Sequence, residues 1–179
     1  MTQGAPSDFL VTERLLLRNW GPGDEALVRA LHSDPDVNRY LSQANAPWSE
    51  RRVARRLAQW AKEWAADGLT KFKLLRRSDG AFIGRAGFSR LPETGEFELG
   101  YSIARQYWGR GYASEAAIAL ARRFFEISEM DSFVAFAHAD NVASQRVLEK
   151  AGMHFERSGP YHDMPFRFYR MDRPSVAGM

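Results

Sequence analysis

At 179 residues, 45% hydrophobic and 26% charged, the chain has the length and composition of one globular domain able to bury its own core. It contains no cysteine, which excludes disulfides, zinc thiolate sites and a cysteine nucleophile and leaves the chemistry to oxygen and nitrogen groups. A formal net charge of +3 falls short of a dedicated nucleic-acid-binding stripe, and no apolar run nears the roughly 20 residues that cross a bilayer, so a cytoplasmic protein is expected.

After a polar leader, Leu15 to Arg18 reads as a short strand, broken by Gly21-Pro22-Gly23. Asp24 is placed to cap a first helix presenting Leu27, Ala30 and Leu31. Asp34 and Pro35 suit the N-cap and first position of a second, running through Tyr40. Ser49 caps a longer helix from Glu50 to Ala66, with Val53, Leu57, Trp60 and Trp64 at helical spacing and both tryptophans assigned to the core. Its arginines read as a solvated face. Strands follow at Thr70 to Leu75, Phe82 to Phe88 and Phe97 to Ile103, an antiparallel meander separated by Ser78-Asp79-Gly80 and Pro92-Glu93-Thr94-Gly95.

At Gly111 the period changes. Ala113, Ala116, Ala117, Leu120, Ala121 and Phe124 form one helical stripe, and its small residues predict close packing on a sheet. Phe133 to Ala137 reads as a buried strand, Asn141 opens another helix that Gly152 ends, and His154 to Arg157 and Phe166 to Met171 close the fold. The core is expected over about residues 12–172, with a flexible leader and a tail from Pro174 that does not pack.

The segment Gln106-Tyr107-Trp108-Gly109-Arg110-Gly111 falls in a strand-to-helix turn. A helix N-terminus offers unpaired N–H groups and the positive end of a dipole, and glycine lets backbone wrap closely around a phosphate. The bare spacing occurs by chance in about one chain in ten. Its specificity comes from the flanking strand, the amphipathic helix, and Asn141 to Ser144 opening the next helix.

In that setting Gln106, Gly109 and Gly111 resemble the Q/R-x-x-G-x-G/A acetyl-CoA loop of the GNAT superfamily of N-acetyltransferases. Ser33-Asp34-Pro35-Asp36-Val37, Glu98-Leu99-Gly100-Tyr101, Asn141-x-x-Ser144 and Lys150-Ala151-Gly152-Met153 are similar to the branch containing the RimJ and RimL ribosomal-protein acetyltransferases. The resemblance implies an α/β fold with a mixed, mostly antiparallel sheet of about six or seven strands flanked by helices. It implies acetyl-CoA as cosubstrate and no metal. Splayed central strands would admit the pantetheine arm against Tyr101, Ser102 and Ile103. Gln106, Gly109, Arg110, Gly111, Tyr112, Ala113 and Ser114 would hold the pyrophosphate, with Asn141 and Ser144 near the sulfur.

A lysine-like amine near pKa 10.4 must lose its proton before it attacks a thioester, so a base is required. Glu98, on the strand leading into the loop, is the first candidate; Glu96 on the same face is second and His138 third. Many family members carry a tyrosine seven residues after the asparagine; here that position is Leu148, so Ser144 or Tyr161 is expected to protonate the departing thiolate. Trp48 and Tyr161 are loop aromatics that also suit a substrate wall. The expected partner is an amine acceptor, either a small molecule or a protein N-terminus. A homodimer is left open, nucleic acid is disfavoured and no membrane is expected. Non-catalytic acyl-CoA binding, or ribosome or RNA binding through the arginine helix, are the competing readings.

Overall fold

The computed structural model describes residues 8–175, so the first seven residues and the last four of the tail lie outside the described residues. In chain order the elements are β1 (Asp8–Val11), β2 (Leu15–Arg18), α1 (Glu25–Leu31), α2 (Pro35–Asn38), α3 (Glu50–Asp67), β3 (Lys71–Arg76), β4 (Phe82–Arg90), β5 (Phe97–Ile103), α4 (Tyr112–Ile127), β6 (Ser132–His138), α5 (Val142–Lys150), β7 (His154–Tyr161) and β8 (Met164–Asp172). The strands form one eight-stranded sheet in the order β1-β2-β3-β4-β5-β6-β8-β7. Every neighbouring pair is antiparallel except β5 and β6. The expected mixed, mostly antiparallel sheet is therefore present, with one strand more than anticipated.

Local chemistry explains most boundaries. Asp34 accepts the Asp36 N–H at 2.8 Å and Pro35 needs no acceptor, so α2 starts where the sequence indicates. Ser49 caps α3, and Gly68, at φ 65°, ends it in the left-handed region that favours glycine. Asp24 behaves differently from expectation. It sits at the N-cap of α1 but its side chain caps nothing; it accepts instead from the Gly21 N–H and pairs with Lys73 at 2.6 Å.

The alanine stripe of α4 is buried as predicted: Ala116, Ala117, Leu120 and Phe124 are fully covered where the helix lies on β4 and β5. Without Cβ branches the helix axis can approach the sheet, and the rings beneath interlock. Phe124 meets Phe88 at 4.7 Å and Phe133 at 4.9 Å between ring centroids, the tilted and edge contacts that aromatic quadrupoles favour.

Three sequence expectations need correction. Residues read as part of the leader form β1, whose Phe9 stacks on Phe72 at 4.1 Å. Trp60 is buried, but Trp64 is 38% exposed beside short edge strand β1, in T-shaped contact with Phe9 and Phe72. The final hairpin is longer than predicted, since β7 and β8 stay paired as far as Tyr161 and Met164.

Phe124→Ala should lower unfolding free energy by about 3–5 kcal/mol in urea denaturation, the cost of a large aromatic cavity. A loss below about 1 kcal/mol would mean that α4 does not anchor the sheet.

Candidate active site

Strands β5 and β6 touch at a single registered pair, Glu98 with Val134, and then diverge. β5 stays fully paired to β4 up to Ile103, and β6 to β8 up to His138, so the facing edges of both strands are left without a strand partner beyond that point. Buried backbone polar groups need partners, and such an edge is a template for an extended ligand. The Ile103 carbonyl is already engaged, accepting the Trp108 indole N–H at 2.7 Å. Tyr101 and Ser102 lie in the opened stretch, with Ser102 buried.

From this opening the chain turns through one tight helical turn, Arg105–Tyr107, into the glycine loop. Gly109 and Gly111 have φ of 73° and 80°, and a Cβ on Gly109 would meet nothing, so its outer face is open. Gly111 is the N-cap of α4 and supplies no side-chain cap. Among the described residues the N–H groups of Gly109, Gly111, Tyr112, Ala113 and Ser114 donate to no backbone or side-chain acceptor. Unpaired amides at a helix start are the donor set for an anion, so the loop fits a diphosphate. Gln106 and Arg110 are exposed there. Arg14 braces the turn through Glu115 at 2.6 Å and the Arg110 carbonyl at 2.9 Å.

The facing edges of β5 and β6 also line a cleft of about 340 Å³. It brings Glu98, Tyr101, His138, Asn141, Ser144 and Tyr161 to one wall system, whereas Glu96 is drawn away into an ion pair with Arg170 at 2.9 Å. Glu98 is held by a residue that sequence reasoning missed. Lys71 Nζ donates to Glu98 Oε2 at 2.7 Å and to the Gly87 and Glu98 carbonyls at 3.0 and 3.1 Å. Burial pushes the Lys71 ammonium down, and the Glu98 charge opposes that shift. Gly100 leaves the space this pair occupies, since a Cβ there would stand 2.6 Å from Glu98 Oε1 and 2.8 Å from Lys71 Nζ.

The Tyr101 hydroxyl was not singled out by sequence. It lies 2.8 Å from Ser144 Oγ and donates to the Ser144 carbonyl at 3.1 Å, while burial pushes the phenol up. Asn141 caps α5 by accepting the Ser144 N–H at 3.1 Å, so its structural role and its place in the cleft coexist. Leu148, where a tyrosine is usual, is 1% exposed. His138 Nδ1 accepts the Asp140 N–H at 3.1 Å, which leaves Nε2 to carry the proton of the neutral ring, and Tyr40 stacks over it at 5.0 Å. Tyr161 packs on Phe136 at 4.6 Å, and burial pushes its phenol up.

Trp48, in the loop before α3, lines the cleft as a 6% exposed ring stacked on His32 at 3.6 Å. The arginines of α3 are not simply a solvated face: Arg52 and Arg56 line the same cleft.

The acetyltransferase (GNAT) domain family matches residues 14–154. The chain belongs to that family. It is 29% identical over 158 residues to an uncharacterized N-acetyltransferase, p20, of Bacillus licheniformis, covering 87% of this chain and 86% of p20. An acetyltransferase from Agrobacterium tumefaciens superposes with TM-score 0.80 at 27% identity, covering 92% of this chain and 94% of that one. RimL, a ribosomal alpha-N-protein acetyltransferase solved in complex with coenzyme A, superposes with TM-score 0.78, covering 93% of this chain and 98% of RimL; at 16% identity that likeness speaks for the fold alone. The protein is thus an acetyl-CoA-dependent GNAT acetyltransferase. Among the described residues no helix is long and apolar enough to cross a membrane.

A buried histidine under the cleft makes one property of this site measurable. His32 Nδ1 pairs with Asn38 Oδ1 at 2.9 Å and its Nε2 accepts from Arg85 Nε at 3.0 Å, an arrangement that needs the neutral ring. Burial and the Arg85 charge push its pKa from 6.5 down to about 2. The unfolded chain binds this proton first, so the histidine's contribution is complete above about pH 6.5 and declines as pH falls toward 2, by at most about 1.4 kcal/mol per unit. His32→Gln should remove that component from urea denaturation compared at pH 7 and pH 5. Equal pH slopes in both proteins would show that His32 titrates normally in the fold.

Proposed function

We propose that this enzyme transfers the acetyl group of acetyl-CoA to a primary amine by direct attack in a ternary complex. The reading rests on one juxtaposition: the open β5–β6 edge leads into the glycine loop, and its Glu98 to Tyr101 stretch also lines a cleft able to admit an acceptor. The N–H groups of Gly109, Gly111, Tyr112, Ala113 and Ser114 hold the diphosphate, with Gln106 and Arg110 at the loop's exposed rim. Backbone of Tyr101 and Ser102 aligns the pantetheine arm and offers N–H donors to the carbonyl oxygen that gains charge. Acetyl-CoA, when bound, supplies the activated thioester.

Glu98 keeps Oε2 on Lys71 and uses Oε1 to take the amine proton, directly or through water. Lys71 acts as a positioning residue, fixing the carboxylate between sheet and cleft. The cationic lining contributes separately, because nearby positive charges disfavour an ammonium and lower the pH at which the free amine forms. Ser144 Oγ, backed by the Tyr101 hydroxyl, serves the departing thiolate; a thiol pKa near 8.5 asks for only modest help. Asn141 orients that helix end, His138 borders the same wall, and Tyr161 shapes the acceptor side. No covalent enzyme intermediate is required.

The domain is read as one acetyltransferase unit acting in the cytoplasm, with a small-molecule amine or a protein N-terminus as acceptor. The RimJ/RimL-like branch is supported by the matched segments around Asp34, Glu98 and Asn141.

Free-thiol release from acetyl-CoA should be seen with members of an amine panel. Glu98→Gln should lower kcat/KM by about 10²-fold at pH 7, with the deficit shrinking toward pH 9.5 as the amine deprotonates in solution. A full rate at every pH would remove Glu98 from the mechanism. CoA binding without thiol release for any amine would favour a non-catalytic acyl-CoA-binding regulator.

A further inference from the structure

The acceptor cleft carries more positive charge than its own carboxylates neutralise. Lys71 is matched by Glu98 at 2.7 Å, and Arg90, at the rim, by Asp67 at 2.8 Å. Arg52, Arg56 and Arg85 also line the cleft, and among the described residues no carboxylate stands within ion-pair distance of any of them. Glu98 is the one carboxylate in that lining.

The three guanidinium groups converge. Their central carbons lie 4.5, 6.0 and 5.6 Å from the Trp48 ring centroid for Arg52, Arg56 and Arg85. Arg85 is only 8% exposed, stands 5.5 Å from the Trp60 ring as well, and gives its Nε–H to His32. Trp48 is in turn backed by His32, stacked at 3.6 Å and 6°. A neutral histidine thus fixes both the ring and the innermost arginine without supplying a counter-charge.

Such a cluster works against itself when empty. Burial pushes the Arg85 guanidinium down to about 10; the Glu98 charge opposes that shift and the charges of Arg56 and Arg52 add to it, while Arg52 is lowered by burial and by its neighbours Arg56 and Arg55. Indole faces offset part of this through cation–π attraction, but an anion would offset far more. Planar guanidinium groups match carboxylate and phosphate oxygens in paired hydrogen bonds. None of residues 105–114 lines this cleft, so the cluster is separate from the loop assigned to the CoA diphosphate.

We propose that the acceptor is an anionic amine, carrying a carboxylate or phosphate that docks on Arg52, Arg56 and Arg85 around Trp48 while its amino group faces Glu98. The inference rests on the amine-acetylation reading above and narrows it to acidic acceptors. Polyamines and lysine-rich peptides are excluded by the same charges. The anionic end also compensates the repulsion that these arginines impose on the incoming amine.

The test uses matched acceptors at saturating acetyl-CoA: β-alanine against β-alaninamide for a carboxylate, and O-phosphoethanolamine against ethanolamine for a phosphate, with spermidine as a cationic control. The acidic member of at least one pair should have kcat/KM at least about tenfold higher, and which pair responds identifies the anion. The Arg52→Ala/Arg56→Ala variant should erase the preference through KM. Equal rates within both pairs, or preference for spermidine, would overturn the inference while leaving amine acetylation standing.

Because Arg85 is buried and Arg85→Ala would disturb the fold, a second measurement is independent of that variant and of turnover. With CoA saturating the diphosphate loop, succinate or inorganic phosphate should raise Tm of the wild type and not of the Arg52→Ala/Arg56→Ala variant, which should keep its CoA-induced rise. Absence of any rise in the wild type, or an equal rise in both proteins, would overturn the anion site. Arginine-dependent protection without thiol release from any amine would uphold the anion site and refute amine acetylation.

Discussion

The parting of β5 from β6 is the constraint on which the rest of this structure depends. Two parallel central strands meet at Glu98 and Val134 and then separate, although each keeps its outer antiparallel partner to the end. Backbone hydrogen bonding is an obligatory demand, and the opening leaves it unmet by strand pairing on both facing edges, while α4 packs on β4 and β5, α5 on β6 and β7, and the two helices meet. The same parting points β5 into the glycine loop and aims β6 at the start of α5. One interruption therefore leads both to the glycine loop and to the cleft.

Electrostatics distinguishes the loop from the cleft. The loop presents neutral amides at the positive end of α4, a donor set suited to phosphate oxygens. The cleft presents full charges, among which one carboxylate is pinned by a buried lysine and three arginines crowd an indole. Gly100 belongs to this design as much as the loop glycines do, because any larger residue would intrude on the Lys71–Glu98 pair. The pair keeps a carboxylate in place where the sheet opens, and the arginines give the cleft beside it an excess of positive charge.

Sequence made the fold legible wherever a local rule decided the structure. The alanine stripe of α4, the caps at Asp34 and Ser49, and the turn glycines each depend on a few neighbouring residues, and each lies where its pattern indicates. β1 was not legible because Asp8-Phe9-Leu10-Val11 lacks alternation and gains its strand only by pairing with β2. In the site, Gln106, Gly109 and Gly111 form a contiguous motif and could be read directly. Lys71 could not: it lies 27 positions from Glu98 and meets it only because β3 and β5 flank β4. Arg85, His32 and Trp48 are likewise assembled by tertiary packing, and the arginines of α3 carry the same spacing whether they face water or a cleft. Tyr101 Oη beside Ser144 is of the same kind, a contact across the opening between β5 and α5.

Hydrogen–deuterium exchange with and without CoA tests the central claim most directly, since it reads the backbone amides themselves. The account predicts that exchange at residues 109–114 and along the free edge of β5 slows on CoA addition, while α1 and the β7–β8 hairpin are unaffected. Unchanged exchange across both segments at saturating CoA would contradict it.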